Sequence, residues 1–206
     1  TGSGGPFRTR DITTFDNISV DEALNHPNWD MGRKITIDSA TMMNKGFEVI
    51  EAFWLFGFTP DRIKIVVHPQ SIIHSMIEMK DGAIKAQMGV PDMKVPIQYA
   101  LTYPRHLEAP WEQLDFLKCG DLTFEEPDFE RFPCIKLAFD SLEKLGTSGA
   151  VLNLANDYSV YRFLNGELKF TDIPKIIESS MKHHDWIEHP SLEHLKTLDS
   201  WVKSHV

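Results

Sequence analysis

The chain has 206 residues, of which 42% are hydrophobic and 11% aromatic, and this is enough apolar material for a packed core. Its 30 acidic and 21 basic side chains leave a formal net charge of -9, which disfavours nucleic acid and anionic membranes as partners. The two cysteines, Cys119 and Cys134, lack the spacing of a metal site or a disulfide framework, and the densest apolar run, residues 52–58, is too short to span a bilayer. We therefore expect a soluble, cytoplasmic protein.

The first part of the chain is predicted to contain loops, helical turns and one long helix. The stretch VDEALN (20–25) is typical of one or two helical turns, HPNWDMG (26–32) of a loop, and KITID (34–38) alternates like a strand. A long helix is predicted to follow, with Asp38 or Ser39 as its N-cap. Its apolar face would comprise Met43, Phe47, Ile50 and Trp54.

The middle of the chain indicates a small, largely antiparallel sheet. Strands are predicted at 62–67, 71–79 and 83–89, and Lys80-Asp81-Gly82 is typical of a hairpin turn. A short helix is predicted to begin near Pro96. The prediction is an α+β fold whose sheet has flanking helices and is followed by a C-terminal helical bundle. The predicted organisation is 1–102 as part of a catalytic domain, 103–132 as a linker and 133–206 as a helical domain.

Four polar residues around the predicted long helix are candidates for chemistry. Helical spacing places Asn44, Lys45 and Glu48 on one flank, with Ser39 at the predicted positive end of the helix. A hydroxyl, an amide, an ammonium group and free backbone N–H groups suit a phosphate, and Glu48 could hold a divalent cation. The alternative is an ordinary capped helix with a surface Lys–Glu pair.

The opening segment TGSGGPFR has two interpretations. It is either a flexible end of the kind that linkers leave, or a loop whose glycines let backbone N–H groups approach an anion beside Ser3. A dinucleotide-binding fingerprint is rejected, because Phe7 stands where its third Gly or Ala should be and no strand precedes it here.

Several histidines and the 26–32 loop complete the candidates. His26, Trp29 and Met31 suit a lid that contacts a ligand and excludes water, although an aromatic and a Met are also common in cores. His74 is expected to be a packed structural histidine. A solvated surface rather than a metal site is expected for the trailing His183, His184, His189, His194 and His205.

Four stretches together carry a resemblance: TGSGGPFR, HPNWDMGRKITIDSATMMNKGFEVIEA, HPQSIIHSMIE and GVPDMKVPIQYAL. In this order they resemble the 1-deoxy-D-xylulose 5-phosphate reductoisomerase family. The resemblance is dense through residue 103 and looser in the tail, where PCIKLA and LNLAND still follow the pattern. One departure is Asp157, at a position where the family usually has Glu.

The resemblance implies roles for individual residues. It implies that phosphate and neighbouring oxygens are bound by Ser3, His26, Ser39, Asn44 and Lys45. It implies that Glu48 is a Mg²⁺ or Mn²⁺ ligand, and that Glu48, Lys45 and His26 serve catalysis. Trp29 and Met31 would close over the substrate, and His74 and Met93 would line or support its pocket. Gly2 and Met93 would contact the nicotinamide cofactor.

The resemblance also implies a reaction, cofactors and an assembly. The expected activity converts 1-deoxy-D-xylulose 5-phosphate to 2-C-methyl-D-erythritol 4-phosphate with NADPH and Mg²⁺ or Mn²⁺, in the non-mevalonate isoprenoid pathway, by a homodimer. The family's nucleotide-binding domain and its acidic DSE-type segment are not in these 206 residues. We therefore expect a catalytic and C-terminal portion that is inactive alone. The alternative is a stand-alone phosphate-binding module that has lost the chemistry.

Overall fold

A computed structural model describes residues 1–27 and 31–206 and divides the chain into two compact units. The first unit consists of Thr1–Ser3 and Val66–Glu126, and the second of Gly4–Ile65 and Pro127–Val206. Both units are discontinuous in sequence. The division into 1–102, 103–132 and 133–206 stays a prediction about domains.

The first unit contains a two-stranded antiparallel sheet and one helix. Strands β1 (Ile73–Glu78) and β2 (Ile84–Met88) form the predicted hairpin. Its turn is stabilised because the Asp81 carboxylate accepts a hydrogen bond from the Ala83 N–H at 3.0 Å. A helix also follows where it was predicted; it comprises Lys94–Thr102 and is labelled α4.

The prediction of a strand at 62–67 was wrong. Only Val67 of this run is paired, through single bridges to Gly2 and to Glu125. A short 3-10 turn, Pro60–Arg62, occupies the start of the region. Alternating apolar residues form a strand only where a neighbour offers a continuous ladder, and isolated bridges do not provide one.

The second unit is helical and confirms the helix-rich tail. Its first helices are α1 (Val20–Leu24), α2 (Arg33–Ala40) and α3 (Met43–Phe56), after a 3-10 turn at Ile12–Asn17. The tail, which was predicted to be a helical bundle, contains four helices. They are α5 (Pro133–Lys144), α6 (Ser148–Leu164), α7 (Asp172–His183) and α8 (Leu192–His205).

An aromatic cluster joins the start of this unit to its C-terminal helices. Phe7 and Phe170 meet edge to face with ring centroids 5.2 Å apart, and Phe163 lies 5.8 Å from Phe170. Phe15 and Phe132 complete the cluster and are also buried. Such contacts add to the hydrophobic stabilisation from burial, so residues just after the glycine-rich opening are held by the helical tail.

Two predictions about the long helix and the residues before it were wrong. KITID (34–38) lies within helix α2 rather than in a strand, because its side chains pack between neighbouring helices and tertiary packing overrides β propensity. Trp54 was placed on the apolar core face of α3, yet it is 68% exposed. The core face of α3 is instead carried by Met43, Gly46 and Val49.

One expectation about the C-terminal histidines was also wrong. His184 is buried, and its Nε2 and the Thr147 hydroxyl oxygen are 3.1 Å apart. Burial lowers the pKa of His184, so its neutral form is favoured in the packed interior. Within the ranges 1–27 and 31–206, no helix is both long and apolar enough to cross a membrane.

Candidate functional site

The junction between α2 and α3 gathers the polar residues that the sequence singled out. Ser39 is buried in the last turn of α2, and Asn44 and Lys45 lie in the first turn of α3. Between the helices Met42 has a φ of 59°, in the left-handed region that non-glycine residues rarely adopt. This backbone conformation ends α2 and starts α3 in a new direction within a few residues.

The prediction that Asp38 or Ser39 is the N-cap of the long helix was wrong, because both residues lie within α2. Ser39 belongs to the C-terminal end of α2, and the residue that precedes α3 is Met42. The Ser39 carbonyl accepts a hydrogen bond from the Met42 N–H at 3.2 Å, so the two helix ends remain in direct contact. The first turn of α3 still offers the partial positive charge of a helix N-terminus beside Lys45.

Lys45 and Glu48 form the ion pair that helical spacing predicts. The Lys45 Nζ and a Glu48 Oε1 are 2.5 Å apart, and their side chains are 15% and 51% exposed. The pair fits the alternative of an ordinary surface salt bridge. It also fits a binding site without its ligands, in which Lys45 and Glu48 pair with each other. Partly exposed pairs at this spacing contribute only ~0.3–0.5 kcal/mol, so a phosphate and a cation could replace the partners at low cost.

The second half of the glycine-rich opening packs against the same junction. Gly5 has a φ of 65°, and a Cβ atom at this position would lie 2.6 Å from the Ser39 carbonyl oxygen. Only glycine therefore permits both the backbone conformation and the close approach. This observation favours a structural role of the opening segment over that of a dispensable linker.

Two of the three predicted lid residues, His26 and Met31, precede α2. His26 is buried after α1, and burial lowers the pKa of its imidazole, which favours the neutral form. Met31 is half-buried, and its carbonyl oxygen accepts a hydrogen bond from the Thr36 hydroxyl at 3.5 Å. Trp29 lies outside the described residues.

The other predicted site residues belong to the first unit. The Gly2 N–H donates to the Val66 carbonyl at 2.9 Å, and the Gly2 carbonyl accepts from the His68 N–H at 2.7 Å. His74 is half-buried in β1, and Met93 is 50% exposed at the N-cap of α4. Ser3 is the last residue of the N-terminal segment of this unit.

Glu48 could supply one carboxylate to a metal ion. In the part of the chain that the structure describes, no three His, Cys, Asp or Glu side chains cluster as a metal site. Mg²⁺ prefers six oxygen ligands, and the half-exposed Glu48 carboxylate is a suitable one. Glu48 therefore fits a metal site in which substrate, water or other carboxylates supply the remaining oxygen ligands.

A buried polar network between α2 and α6 was missed by the sequence reasoning. The Asn156 side-chain N–H donates to one Asp38 oxygen at 2.8 Å, and the Lys34 Nζ lies 2.8 Å from the other. Lys34 also lies 2.8 Å from an Asp157 oxygen, so its ammonium group bridges the two helices. Asp157, the departure from the family pattern, thus has a defined partner.

Burial and pairing set the charges of this network. Burial raises the pKa of Asp38, and the hydrogen bonds from Asn156 and Lys34 oppose that rise. Burial lowers the pKa of Lys34, but the pairs with Asp157 and Asp38 outweigh it and the pKa is raised overall. The signal for this network was the Lys34-to-Asp38 spacing. Four residues span about 6 Å on a helix but about 13 Å on a strand, so the strand prediction concealed the pair.

Known proteins similar to this chain match it over its whole length. The DXP reductoisomerase C-terminal domain family matches residues 88–205, and the 1-deoxy-D-xylulose 5-phosphate reductoisomerase C-terminal domain family matches residues 1–56. The 1-deoxy-D-xylulose 5-phosphate reductoisomerase of Acetivibrio thermocellus is 55% identical over 206 residues, which cover 100% of this chain and 54% of the relative. The Chloroherpeton thalassium reductoisomerase is 54% identical, with coverages of 100% and 53%.

Solved structures show the same similarity. The Zymomonas mobilis reductoisomerase in complex with NADPH has a TM-score of 0.90 and 45% identity, and the match covers 99% of this chain and 52% of that one. A DOX-P reductoisomerase in complex with NADPH, fosmidomycin and magnesium has a TM-score of 0.91 and 42% identity, with coverages of 98% and 52%.

The α+β fold of this chain has the architecture of the C-terminal part of a reductoisomerase. The chain belongs to the 1-deoxy-D-xylulose 5-phosphate reductoisomerase family. It spans about half the length of the curated relatives that it matches.

Proposed function

We propose that this chain is the substrate-binding and C-terminal portion of an enzyme that converts 1-deoxy-D-xylulose 5-phosphate to 2-C-methyl-D-erythritol 4-phosphate in the non-mevalonate isoprenoid pathway. The observation that supports the proposal is the α2–α3 junction of a chain of this family, where Ser39 lies in the last turn of α2 and the start of α3 contains Asn44, Lys45 and the Glu48 that pairs with Lys45. The proposed domains are 1–102, a linker at 103–132, and 133–206. The proposed assembly is a cytoplasmic homodimer.

The phosphate of the substrate is proposed to bind at the start of α3. Lys45 supplies a full positive charge, and the N-terminal end of the helix adds a partial one. The partly exposed Lys45–Glu48 pair contributes little, and a phosphate carries more negative charge than a carboxylate and can also contact the N-terminal end of α3, so the Lys45 ammonium would exchange Glu48 for a phosphate oxygen. That exchange frees the Glu48 carboxylate for a cation. Ser3, Ser39, Asn44 and the neutral His26 would supply hydrogen bonds to the remaining oxygens.

Two groups that this chain would bind supply the remaining chemistry. Mg²⁺ or Mn²⁺, held in part by Glu48, would stabilise negative charge on substrate oxygens during the carbon–carbon rearrangement. NADPH would supply the hydride, with Gly2 and Met93 beside the cofactor and a further nucleotide-binding domain as its main site. The residues of the chain would orient the substrate and exclude water, Trp29 and Met31 by covering it and His74 by supporting the pocket.

The proposal predicts a selective effect of removing the Lys45 charge. In the intact enzyme, Lys45→Ala should raise the KM for 1-deoxy-D-xylulose 5-phosphate at least 10-fold, because a charged hydrogen bond to phosphate contributes about 1.5–3 kcal/mol. The measurement is steady-state NADPH oxidation with varied substrate.

Two controls accompany this variant. Lys182→Ala removes another helical Lys–Glu pair, in which Nζ lies 2.7 Å from Glu178, and Cys134→Ala alters a buried residue of α5. Both should leave the KM within about 2-fold of the wild-type value. Equal kinetics for Lys45→Ala and the controls would contradict the site. Phosphate binding without turnover by the intact wild-type protein would instead support a binding module that has lost the chemistry.

A further inference from the structure

The buried network of Lys34, Asp38, Asn156 and Asp157 joins α2 to α6 close to the proposed phosphate site. Asp38 immediately precedes Ser39 in the last turn of α2 and is 1% exposed. Its two oxygens are held at 2.8 Å by partners on different helices, Asn156 on α6 and Lys34 on α2. A carboxylate with this degree of burial is costly unless both oxygens have partners, so the geometry is strongly specified.

Lys34 extends the network to a third helix. Its Nζ lies 5.1 Å from the centroid of the Phe47 ring on α3, in addition to its ion pair with Asp157 on α6. The residues of the network therefore lie on or contact α2, α3 and α6. These contacts join protein groups only, so the four residues can hold the helices in place without touching a ligand.

We propose that Asp38, with Asn156 and Lys34, positions the Ser39 hydroxyl for binding the substrate phosphate. The Asp38–Asn156 hydrogen bond prevents α2 from rotating about its own axis. A rotation of about 15° would move an atom about 4 Å from that axis by about 1 Å, which is enough to break a hydrogen bond. The inference rests on the proposed function, because it assigns the hydroxyl its ligand.

The test is a double-mutant cycle in the intact enzyme. Asp38→Asn keeps the shape of the side chain, but its NH2 group must face a donor on either Asn156 or Lys34, so one of the two contacts is lost. Ser39→Ala removes the hydroxyl. Each variant and the double variant are assayed for KM and kcat with 1-deoxy-D-xylulose 5-phosphate, and for thermal unfolding. Asp157→Asn is the matched control, since it also loses a carboxylate that lies 2.8 Å from Lys34 but is 39% exposed and distant in sequence from Ser39.

We expect Asp38→Asn to raise the KM 5- to 20-fold with a smaller change in kcat. In the Ser39→Ala background the same substitution should change the KM by less than 2-fold, because the group that it positions is gone. Asp157→Asn should change the KM by less than 3-fold in either background. If Asp38→Asn does not fold, Asn156→Ala takes its place in the cycle with the same expectation.

Three outcomes would overturn the inference. One is an equal KM increase with and without the Ser39 hydroxyl. Another is a lower unfolding temperature for Asp38→Asn with an unchanged KM, which would mean a purely structural network. Both leave the proposed function standing. A Ser39→Ala enzyme with the wild-type KM would remove Ser39 from the proposed site as well, and a wild-type enzyme without turnover would contradict the proposed function itself.

Discussion

Glu22 in helix α1 is held by more hydrogen bonds than its exposed position suggests. Its carboxylate accepts the Ser19 backbone N–H at 2.9 Å and an Arg10 guanidinium N–H at 2.7 Å, while the Ser19 hydroxyl caps the Glu22 N–H. These bonds favour the ionised form and lower the pKa of Glu22 from 4.5 to about 2, with the Ser19 backbone bond as the largest cause. This capping box fixes the start of the helix that leads to His26.

The Glu22 interaction should make stability pH-dependent in a defined window. Because the folded pKa is depressed, its contribution is present above pH 4.5 and is lost as pH falls toward 2. In the Glu22→Gln variant, the free energy of unfolding should fall less than in the wild type as the pH falls from 4.5 toward 2. Asp21→Asn on the same helix is the control and should behave like the wild type in this window. The measurement is urea unfolding at several pH values. A Glu22 carboxyl that titrates near 4.5 by NMR would contradict this prediction.

The two cysteines should differ sharply in reactivity. Cys134 is buried in α5, and burial raises the pKa of its thiol to about 12, whereas Cys119 is partly accessible. Since the thiolate is the reactive form, a disulfide reagent at pH 8 should modify Cys119 quickly and Cys134 only when the protein unfolds. Thiol titration with and without urea measures the difference, and Cys119→Ser isolates the slow reaction. Equal rates for both thiols in the native protein would contradict the burial of Cys134.

Helices α3 and α5 approach each other closely at Gly46. A Cβ atom at Gly46 would lie 2.7 Å from the Cβ of Ala138 on α5, which is closer than carbon atoms pack. The contact keeps α3 close to the C-terminal helices on its core face. A glycine inside a helix, normally unfavourable, is here required by packing.

Alanine substitutions at two helical glycines distinguish the effect of packing on stability from the effect of helix propensity. Gly46→Ala should destabilise the protein by about 1–2 kcal/mol, because overpacking outweighs the gain of about 1 kcal/mol in propensity. Gly149→Ala in α6 is the matched control, since no described atom lies within 4 Å of its added Cβ, and it should be neutral or stabilising by up to about 1 kcal/mol. Urea unfolding measures both. A stabilised Gly46→Ala variant would show that the helices separate at little cost.

Local patterns predicted some elements correctly and failed at two, the strands expected at 34–38 and 62–67. The β1–β2 hairpin and the helices of the tail follow from turn residues and periodicity, which are properties of short segments. Residues 34–38 contain three consecutive β-branched side chains and alternate between polar and apolar residues, which favours a strand, but the segment is helical. Its packing against α1, α3 and α6 depends on residues far along the chain, which no local window contains.

The whole 206-residue chain is expected to lack reductoisomerase activity by itself. Its sequence contains no dinucleotide-binding fingerprint after a strand, and Glu48 is one carboxylate of a metal site that needs more ligands. NADPH oxidation by the purified chain with substrate and Mg²⁺ should therefore stay at the level without enzyme. The positive control is a full-length relative under the same conditions. Turnover by the 206 residues alone would refute this expectation.

The sequence alone determined the family, the α+β class and the residues to examine, because ordered blocks of many residues and short-range periodicity are properties of the chain itself. Only the tertiary structure decided that Ser39 ends α2 rather than starting the long helix, and that Asp38 meets Asn156 across 118 residues of sequence. The physical reason is that burial and hydrogen-bond partners are set by distant segments. A local pattern can identify a charged residue, but it cannot specify which distant residue neutralises it.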